Sequence, residues 1–443
     1  MITRIEATRY RCLERLDADL KPYDVLVGAN GAGKTTFLDI PGLVGTCLQQ
    51  RDVGQAFTSR QDNRPSRSST LNELVFCGRG TDFIVAIEAE LPDTIVAALL
   101  PYQSDLVKNN QERWLRFIRY EVRFEVFNDR QLVVSNEYLF LFSRSNCPRR
   151  GQDAVRLSGE VEPHREWRFI LKRPLVVRPA VGRRSAIVGR KKGNVQFRAE
   201  TARSRGDRFT TVDSSVLALP RFLFESADDY PATRWFFDLL TKHSVFYQPD
   251  IDVLRAASPP GLPEEVMPNA ANLPWLVLEL QKDRERFRDW VEHVQTALPQ
   301  INAIRAKERE EDHFAYLAVT YNGGHQVTSS GLSEGTLRIM ALTVLPYLLK
   351  RPSLVITEQP EDGVHPKAIE AVLQSLSSVY DSQVLISTHS PIVLAATRID
   401  DILCARLADN GAASIIRGVD HPRLREWQGT VDIGSLFAAG ILE

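Results

Sequence analysis

The sequence predicts an α/β fold in which helices cover a largely parallel sheet. In one stretch, the apolar run 25–27 leads into a glycine-rich loop, and residues 36–38 continue as a helix. In a second stretch, helices alternate with buried strands, over Glu334–Leu349, Leu354–Thr357, Pro366–Tyr380 and Val384–Thr388. This order of helices and strands favours parallel strands with helices on their faces.

The composition is that of a globular protein. With 443 residues, the chain is long enough for two or three domains of about 150 residues each. Its contents of 43% hydrophobic and 25% charged residues are ordinary. No apolar run approaches the length of a membrane span, and the N-terminus lacks a signal core, so we expect no membrane contact. Five cysteines without C-x-x-C spacing suit a reducing cytoplasm and no structural zinc.

The charge is unevenly placed along the chain. Between 144 and 208 there are 18 Lys/Arg against 6 Asp/Glu, although the net charge of the whole chain is only −1. Such a segment could face nucleic acid or an acidic partner, and a solvated surface without a ligand is an equally good interpretation.

Three regions are predicted from the order of elements. Residues 1–212 form a β-rich N-terminal lobe, in which the alternation from Arg119 to Val126 predicts a sheet with one solvent-exposed face. A helix is expected over Asp93–Arg116. Residues 213–312 form a helical insertion, with a long amphipathic stretch over Pro274–Leu298. Residues 313–443 form a C-terminal lobe, which begins with a hairpin around Asn322-Gly323-Gly324.

Residues 28–35 match the phosphate-loop pattern G-x-x-x-x-G-K-[ST]. Glycines allow the backbone to wrap around phosphates, and the helix N-terminus adds partial positive charge. Lys34 would reach the β- and γ-phosphates, and Thr35 would hold Mg²⁺. Because strand, loop and helix signals agree, a chance glycine-rich turn is a poor alternative. The helix after Lys34 is expected to end or kink at Pro41.

Three further stretches could complete a nucleotide site. Small residues and hydroxyls at 330–336 precede a helix, although an N-cap at Ser333 explains most of that pattern. The apolar strand 354–357 ends in Glu358 and Gln359, where a nucleotide site holds Mg²⁺ and activates water. The strand before His389 ends in a histidine that could polarise a γ-phosphate, or could be an ordinary strand-end histidine.

In order and spacing these motifs resemble the ATP-binding cassette (ABC) ATPases of the SMC and RecF type. More narrowly, they resemble the prokaryotic AAA-15/AAA-21 group, which includes the ATPase part of OLD-family proteins. The resemblance covers residues 1–90 and 310–443. It implies an ABC ATPase head that uses ATP and Mg²⁺, with Walker A at 28–35, the signature at 330–336, Walker B at Glu358-Gln359 and a D-loop at 361–366.

The resemblance also implies roles for individual residues. The catalytic group comprises Glu358, Gln359 and the switch histidine His389, and the metal ligands are Thr35 and Glu358. The nucleotide-binding residues are Asn30, Gly31, Ala32, Gly33, Lys34, Thr35, Thr36, Arg11, Ser333, Glu334 and Gly335. In such proteins the signature of one subunit closes over the nucleotide of another, so two or more copies of this chain are expected to sandwich ATP.

Gln359 departs from the family pattern, which has a glutamate here. An amide cannot accept a proton from the attacking water, so we expect a turnover loss of roughly 10²–10⁴-fold. Two interpretations stay open. Gln359 replaces a glutamate by design and traps the ATP-bound state, or it belongs to a natural switch that turns ATP over slowly.

The resemblance implies a prokaryotic setting and work linked to DNA or to defence against phage. OLD proteins carry a nuclease domain after the ATPase, whereas 54 residues follow His389 here. The leading hypothesis is therefore a sensor or scaffold that controls a separately encoded nuclease or toxin. The rival hypothesis is a RecF-like repair ATPase that contacts DNA through 144–208. A transporter motor is a poor alternative, because no membrane-facing signal is present.

Overall fold

The computed structural model describes residues 1–60, 65–128, 130–147, 168–172, 192–201, 208–223, 227–425 and 433–440. The strands are β1 (Ile2–Tyr10), β2 (Leu13–Asp19), β3 (Tyr23–Val27), β4 (Asp82–Glu90), β5 (Phe117–Phe127), β6 (Gln131–Phe142), β7 (Arg168–Lys172), β8 (Lys192–Phe197), β9 (Arg208–Asp213), β10 (Ser244–Phe246), β11 (Ile301–Glu308), β12 (Ala315–Tyr321), β13 (Gln326–Thr328), β14 (Leu354–Glu358), β15 (Gln383–Thr388), β16 (Ile402–Leu407) and β17 (Ala413–Arg417). The helices are α1 (Lys34–Leu38), α2 (Ile40–Gln49), α3 (Gln55–Thr58), α4 (Asp93–Leu99), α5 (Asp105–Lys108), α6 (Leu219–Leu223), α7 (Pro231–Thr241), α8 (Ile251–Arg255), α9 (Leu273–Leu280), α10 (Arg284–Ala297), α11 (Glu334–Thr343), α12 (Pro366–Ser377), α13 (Pro391–Ala395), α14 (Pro422–Arg425) and α15 (Ile433–Ala438).

The chain divides into two compact units that interleave along the sequence. The first unit comprises Met1–Leu20, Asp39–Lys242 and Leu407–Ile415, and the second comprises Lys21–Leu38, His243–Arg406 and Ile416–Glu443. These units group residues differently from the predicted regions 1–212, 213–312 and 313–443, whose limits stay a prediction.

An eight-stranded antiparallel sheet dominates the first unit, in the order β2-β1-β4-β5-β6-β7-β8-β9. Aromatic side chains pack on it: the rings of Phe83 and Phe124 stack with centroids 5.1 Å apart, and Tyr10 lies 5.2 Å from Phe83. Large apolar rings of this kind supply much of the burial free energy of a lobe. The predicted β-rich N-terminal lobe is confirmed.

The predicted solvent-exposed face of β5 is wrong at Arg119 and Glu121, whereas Arg123 and Glu125 on the same face are partly exposed. Arg119 and Glu121 are both 0% exposed. Arg119 donates from Nε to Glu121 Oε1 at 2.6 Å, from Nη1 to Glu88 Oε1 at 2.6 Å and from Nη2 to Glu6 Oε2 at 2.7 Å. Glu88 lies opposite Arg119 in the ladder between β4 and β5. Alternating charges thus mark a buried ionic layer here, because Arg119 meets carboxylates from its own strand, from β4 and from β1.

Two helix predictions need correction. Only α4 and the single turn α5 are α-helical within the predicted helix Asp93–Arg116, because Pro101 follows α4 and cannot continue its hydrogen bonding. The stretch Pro274–Leu298 contributes to two helices, α9 and α10. Asp283 begins the second by accepting a hydrogen bond from the Arg286 amide at 3.2 Å. The predicted helical insertion also contains strands β10 and β11.

The second unit is built on a six-stranded sheet in the order β10-β14-β15-β3-β16-β17, in which the pairs from β10 to β16 are parallel. One buried cluster joins strand residues such as Val355 and Ile386 to Leu337 of α11 and Leu373 of α12. The helix-covered parallel sheet predicted from the sequence is confirmed. The predicted hairpin is present as β12–β13 within a three-stranded antiparallel sheet.

The helix that follows the glycine-rich loop is interrupted as expected. Helix α1 ends at Leu38, and α2 begins at Ile40 with Pro41 in its first turn. Proline is tolerated there because the first amides of a helix need no intrahelical acceptor. Among the described residues, no helix combines the length and apolarity that crossing a membrane requires.

Candidate nucleotide-binding site

Three loops leave the same edge of the parallel sheet in the second unit. They follow β3, β14 and β15, which are adjacent in the order β14-β15-β3. The register places Glu358 beside Ser387 and Thr388 beside Val27, so the three strands end at nearly the same level. Ligands of open α/β sheets bind at this carboxyl edge.

The glycines of the phosphate loop are required by its geometry. Gly31 and Gly33 have φ values of 81° and 82°, in the left-handed region that favours glycine. At Gly28, a Cβ atom would lie 2.2 Å from the carbonyl oxygen of Ala405. The loop can therefore form only if position 28 has no side chain.

Lys34 is folded back onto this loop. Its Nζ donates to the carbonyl oxygens of Gly28 at 2.7 Å and Ala29 at 2.8 Å, and the residue is only 7% exposed. Asn30 and Gly31 at the tip of the loop are exposed, whereas Ala32 and Thr36 are buried. A buried ammonium next to exposed loop amides is what binding of a phosphate group requires.

Thr35 and Glu358 meet although they are far apart in sequence. The Thr35 hydroxyl donates to Glu358 Oε1 at 2.5 Å. A hydroxyl and a carboxylate are hard oxygen donors of the kind Mg²⁺ binds, so these two residues fit the predicted metal. Within the described ranges, no group of three or more His, Cys, Asp or Glu could hold a metal ion. The pair therefore suits an ion that takes its other ligands from water and phosphate.

Gln359 lies in a tight turn directly after β14. Its φ is 46°, in the left-handed region that residues with a side chain rarely adopt. Its backbone N–H donates to the carbonyl oxygen of Ser387 at 2.8 Å, and its backbone carbonyl accepts from the backbone N–H of Asp362 at 3.0 Å. These backbone bonds fix the position from which the side chain extends beyond the strand.

His389 follows β15 and is partly buried. Burial lowers its pKa below the ordinary value, and the positive charge of Lys34 lowers the pKa further. The carbonyl of Gly28 acts in the opposite direction. The imidazole is therefore neutral near pH 7, when it can donate a hydrogen bond from one ring nitrogen and accept one at the other.

The signature residues lie at the start of α11. The Ser333 hydroxyl accepts from the amide of Thr336 at 3.2 Å, which is the N-cap geometry expected from the sequence. Ser333 and Glu334 are exposed, and Glu334 pairs with Arg338 at 3.5 Å. Gly335 packs against Gly363, because a Cβ at 335 would lie 2.7 Å from the Gly363 carbonyl oxygen. The signature thus contacts the D-loop within the chain.

The binding roles predicted for Arg11 and for the basic segment 144–208 stay predictions. Arg11 belongs to the first unit, in the turn between β1 and β2, where its φ is 52° and its amide donates to Leu74 O at 2.9 Å. Its predicted place beside the nucleotide stays a prediction. Most of the basic segment 144–208 lies outside the described residues, so its partner also stays open.

Sequence reasoning missed one residue of this edge. Glu361 was predicted only as the start of the D-loop, yet its carboxylate accepts from the Thr388 hydroxyl at 2.5 Å, immediately before His389. A second acidic residue so close to Glu358 was the only signal for it in the sequence.

Comparisons with known proteins gave one family match and several similar structures. Residues 192–395 match the family AAA_21, described as "AAA domain, putative AbiEii toxin, Type IV TA system". The Smc head bound to the C-winged helix domain of ScpA is 12% identical with a TM-score of 0.50, and the match covers 94% of this chain and 97% of that chain. The Smc head domain with an extended coiled coil bound to the C-terminal domain of ScpA, derived from Pyrococcus furiosus, is also 12% identical, with a TM-score of 0.46 and coverages of 94% and 95%. A search of curated proteins gives no significant match.

At 12% identity the structural likeness shows the fold, which is that of an SMC-type ABC ATPase head with a P-loop. The AAA_21 match supplies the sequence relationship over the region that contains the signature, Walker B and switch motifs. Residues 192–395 are therefore similar to the AAA_21 family, and the chain has the fold of an SMC-type ABC ATPase head.

Proposed function

We propose that this chain binds Mg-ATP at the edge formed by the loops after β3, β14 and β15. The observation that carries the proposal is the contact between Thr35 and Glu358, which joins the Walker A loop to the Walker B strand. Lys34 would bind the β- and γ-phosphates in place of its present carbonyl acceptors, and His389 would face the γ-phosphate as a neutral imidazole. Mg²⁺, when bound, neutralises phosphate charge.

We further propose that ATP joins two copies of the chain, or more. Each copy carries one phosphate loop and one signature, and the signature's Ser333 and Glu334 are exposed at the start of α11. A helix N-terminus attracts anions, so the signature of one copy can close on the nucleotide of another. Arg11 would contribute a further cation near the nucleotide.

Gln359 makes hydrolysis slow in this proposal. Its amide can orient a water molecule but cannot accept the proton that the water releases. The ATP-bound assembly would then be long-lived, whether Gln359 is natural or replaces a glutamate.

The biological role that we propose is a cytoplasmic sensor or scaffold of prokaryotic anti-phage defence, which controls a separately encoded nuclease or toxin. The AAA_21 description, which names a toxin of a toxin–antitoxin system, supports this setting by analogy. The assembly state would be the signal that the effector detects.

A second candidate function is DNA repair by direct DNA contact. The excess of 18 Lys/Arg over 6 Asp/Glu in 144–208 favours it. If this segment contacts phosphates, the logarithm of the DNA affinity falls with the logarithm of salt concentration with a slope of several units. A flat salt response would exclude this candidate.

The test compares Mg-ATP binding, hydrolysis and assembly mass for the chain and for Gln359→Glu. Gln374→Glu makes the same chemical change at an exposed site on α12 and is the matched control. We expect Gln359→Glu alone to raise turnover, by about 10²–10⁴-fold, and the unaltered chain to stay assembled with ATP. The proposal is wrong if neither protein binds Mg-ATP, or if the control raises turnover equally.

A further inference from the structure

The loop that carries His389 is held from both sides by one hydroxyl group. The amide of Ser390 donates to Thr388 Oγ1 at 2.9 Å, and the same hydroxyl donates to Glu361 Oε1 at 2.5 Å. Thr388 is 0% exposed, so water does not compete for these hydrogen bonds. The backbone on either side of His389 is therefore tied to the carboxylate of Glu361.

The electrostatic state of Glu361 is consistent with a holding role. Burial raises its pKa, while the Thr388 hydroxyl and the His389 amide act to lower it. Its second oxygen, Oε2, is buried and makes no hydrogen bond in the structure. Because this oxygen does not reach solvent, the carboxylate is poorly placed to accept a proton from an attacking water.

Glu361 also belongs to a loop that the signature contacts. Two residues further on, Gly363 has a φ of 70°, and a Cβ at this position would lie 3.0 Å from Glu334 Oε1. On the other side, the carbonyl of Gly363 fills the space that a side chain at Gly335 would need. The start of α11 is thus in direct contact with the D-loop, which contains Glu361 and Gly363.

We propose that Glu361 is a positioning residue, which fixes His389 against the phosphate loop through the Thr388 hydroxyl. The position of the His389 ring then depends on the position of the D-loop. The proposal rests on the proposed function in one respect, namely that His389 faces the γ-phosphate. It assigns Glu361 no contact with the reacting atoms. The acid–base alternative, in which Glu361 replaces the missing base at Gln359, is a separate outcome of the test.

The first readout needs no nucleotide. In protein labelled on histidine, the pKa of the His389 imidazole is measured by NMR titration for the unaltered chain, Glu361→Ala, Glu361→Gln and the control Glu370→Ala. Glu370 is exposed on α12. Burial and the charge of Lys34 lower the His389 pKa, whereas the charges of Asp362 and Glu358 raise it. We expect Glu361→Ala to move the His389 pKa back toward its ordinary value, because the loop no longer holds the ring buried beside Lys34. Glu361→Gln keeps an oxygen that accepts from Thr388, so its His389 pKa should stay near that of the unaltered chain.

The second readout is turnover, measured in the Gln359→Glu background. We expect Glu361→Ala to lower kcat by about 10- to 100-fold with little change in ATP affinity, which is the usual cost of a misplaced catalytic group. Glu361→Gln should stay within about threefold. If Glu361→Ala does not fold, Thr388→Val removes the same hydroxyl at similar volume and should reproduce both effects.

Two results would overturn the proposal. One is an unchanged His389 pKa and kcat in Glu361→Ala or Thr388→Val. The other is a loss of kcat in Glu361→Gln as large as in Glu361→Ala. That result would show that Glu361 acts as a base through its charge and does not act by positioning His389. If the His389 pKa shifts as expected but no variant hydrolyses ATP, the positioning role stands and the proposed function fails.

Discussion

Two polar groups in this chain, one enclosed within a sheet and one at a sheet edge, differ in what surrounds their buried cations. The enclosed cluster in the first unit consists of Arg4, Glu6, Glu88, Arg119 and Glu121, where each guanidinium meets carboxylates. The edge group in the second unit consists of Lys34, Thr35, Glu358 and His389. There Lys34 is held by the carbonyls of Gly28 and Ala29.

The difference lies in the strength of the opposing charge. Carboxylates neutralise Arg119 inside the sheet, and burial without them would be prohibitive. Arg119 and Arg4 hold the pKa of Glu6 below its ordinary value even though burial would raise it. Carbonyl dipoles are weaker partners, so Lys34 keeps excess positive charge that a phosphate can use. Buried charge stabilises the sheet in the first group, and in the second it supports the proposed binding of phosphate.

Removing Arg119 should have the largest effect. In Arg119→Met the buried carboxylates of Glu88 and Glu121 lose the guanidinium they pair with and Glu6 keeps only Arg4, so the free energy of unfolding should fall by about 3–5 kcal/mol. Chemical denaturation measures it. The matched control is Arg116→Met, since Arg116 is 27% exposed and pairs with Asp93 at 2.8 Å. Arg116→Met should lower the free energy of unfolding by less than about 1 kcal/mol. If both variants lose the same stability, the burial of the Arg119 cluster is not what makes Arg119 important.

The corresponding change in the edge group should lower ATP affinity and cost less stability than the change in the enclosed cluster. In Lys34→Ala we expect ATP affinity to fall by about 10- to 100-fold, because charge-assisted hydrogen bonds of about 1.5–3 kcal/mol are lost. The free energy of unfolding without nucleotide should fall by about 1–3 kcal/mol, less than in Arg119→Met, because the carbonyl oxygens of Gly28 and Ala29 lose their donor. Calorimetric titration with Mg-ATP measures the affinity, and Lys282→Ala, at a 73% exposed side chain, is the control. A loss of stability as large as in Arg119→Met would contradict the comparison.

Glu200 is a buried carboxylate of a third kind. Unlike the carboxylates paired with Arg119, it is held by amide and hydroxyl donors and not by a close guanidinium. It accepts from the amides of Ala232 and Thr233 at 2.7 and 2.9 Å and from the Thr233 hydroxyl. Burial raises its pKa from 4.5 to about 7. The folded chain therefore binds the proton more tightly than the unfolded chain, and this contribution to stability is lost as pH rises through 7.

Glu200→Gln tests this smaller effect. From pH 8 to pH 6, the free energy of unfolding of the unaltered chain should rise by about 1 kcal/mol relative to the variant. Denaturation at several pH values measures both. Parallel curves would mean that Glu200 stays ionised across this range.

The sequence predicted the fold where a motif constrains the backbone. The glycine spacing of 28–33 and the apolar strands before Glu358 and His389 sufficed to predict the parallel sheet, because each requires a strand and a loop at one edge. The burial of Arg119 could not be predicted, since alternation gives the period of a strand and not what lies against its polar face. Glu361 was missed because its partner, Thr388, is 27 residues away and looks like any strand residue.

The contact between Gly335 and Gly363 has a consequence for recognising related sequences. A methyl group at position 335 would meet the backbone carbonyl of Gly363 at 2.7 Å, and position 363 has a φ of 70° that favours glycine. We expect related chains that share this packing to carry glycines in pairs, about 28 residues apart, and to lose both together. Such paired loss would identify relatives whose D-loop has separated from the signature, even where every phosphate-binding residue is retained.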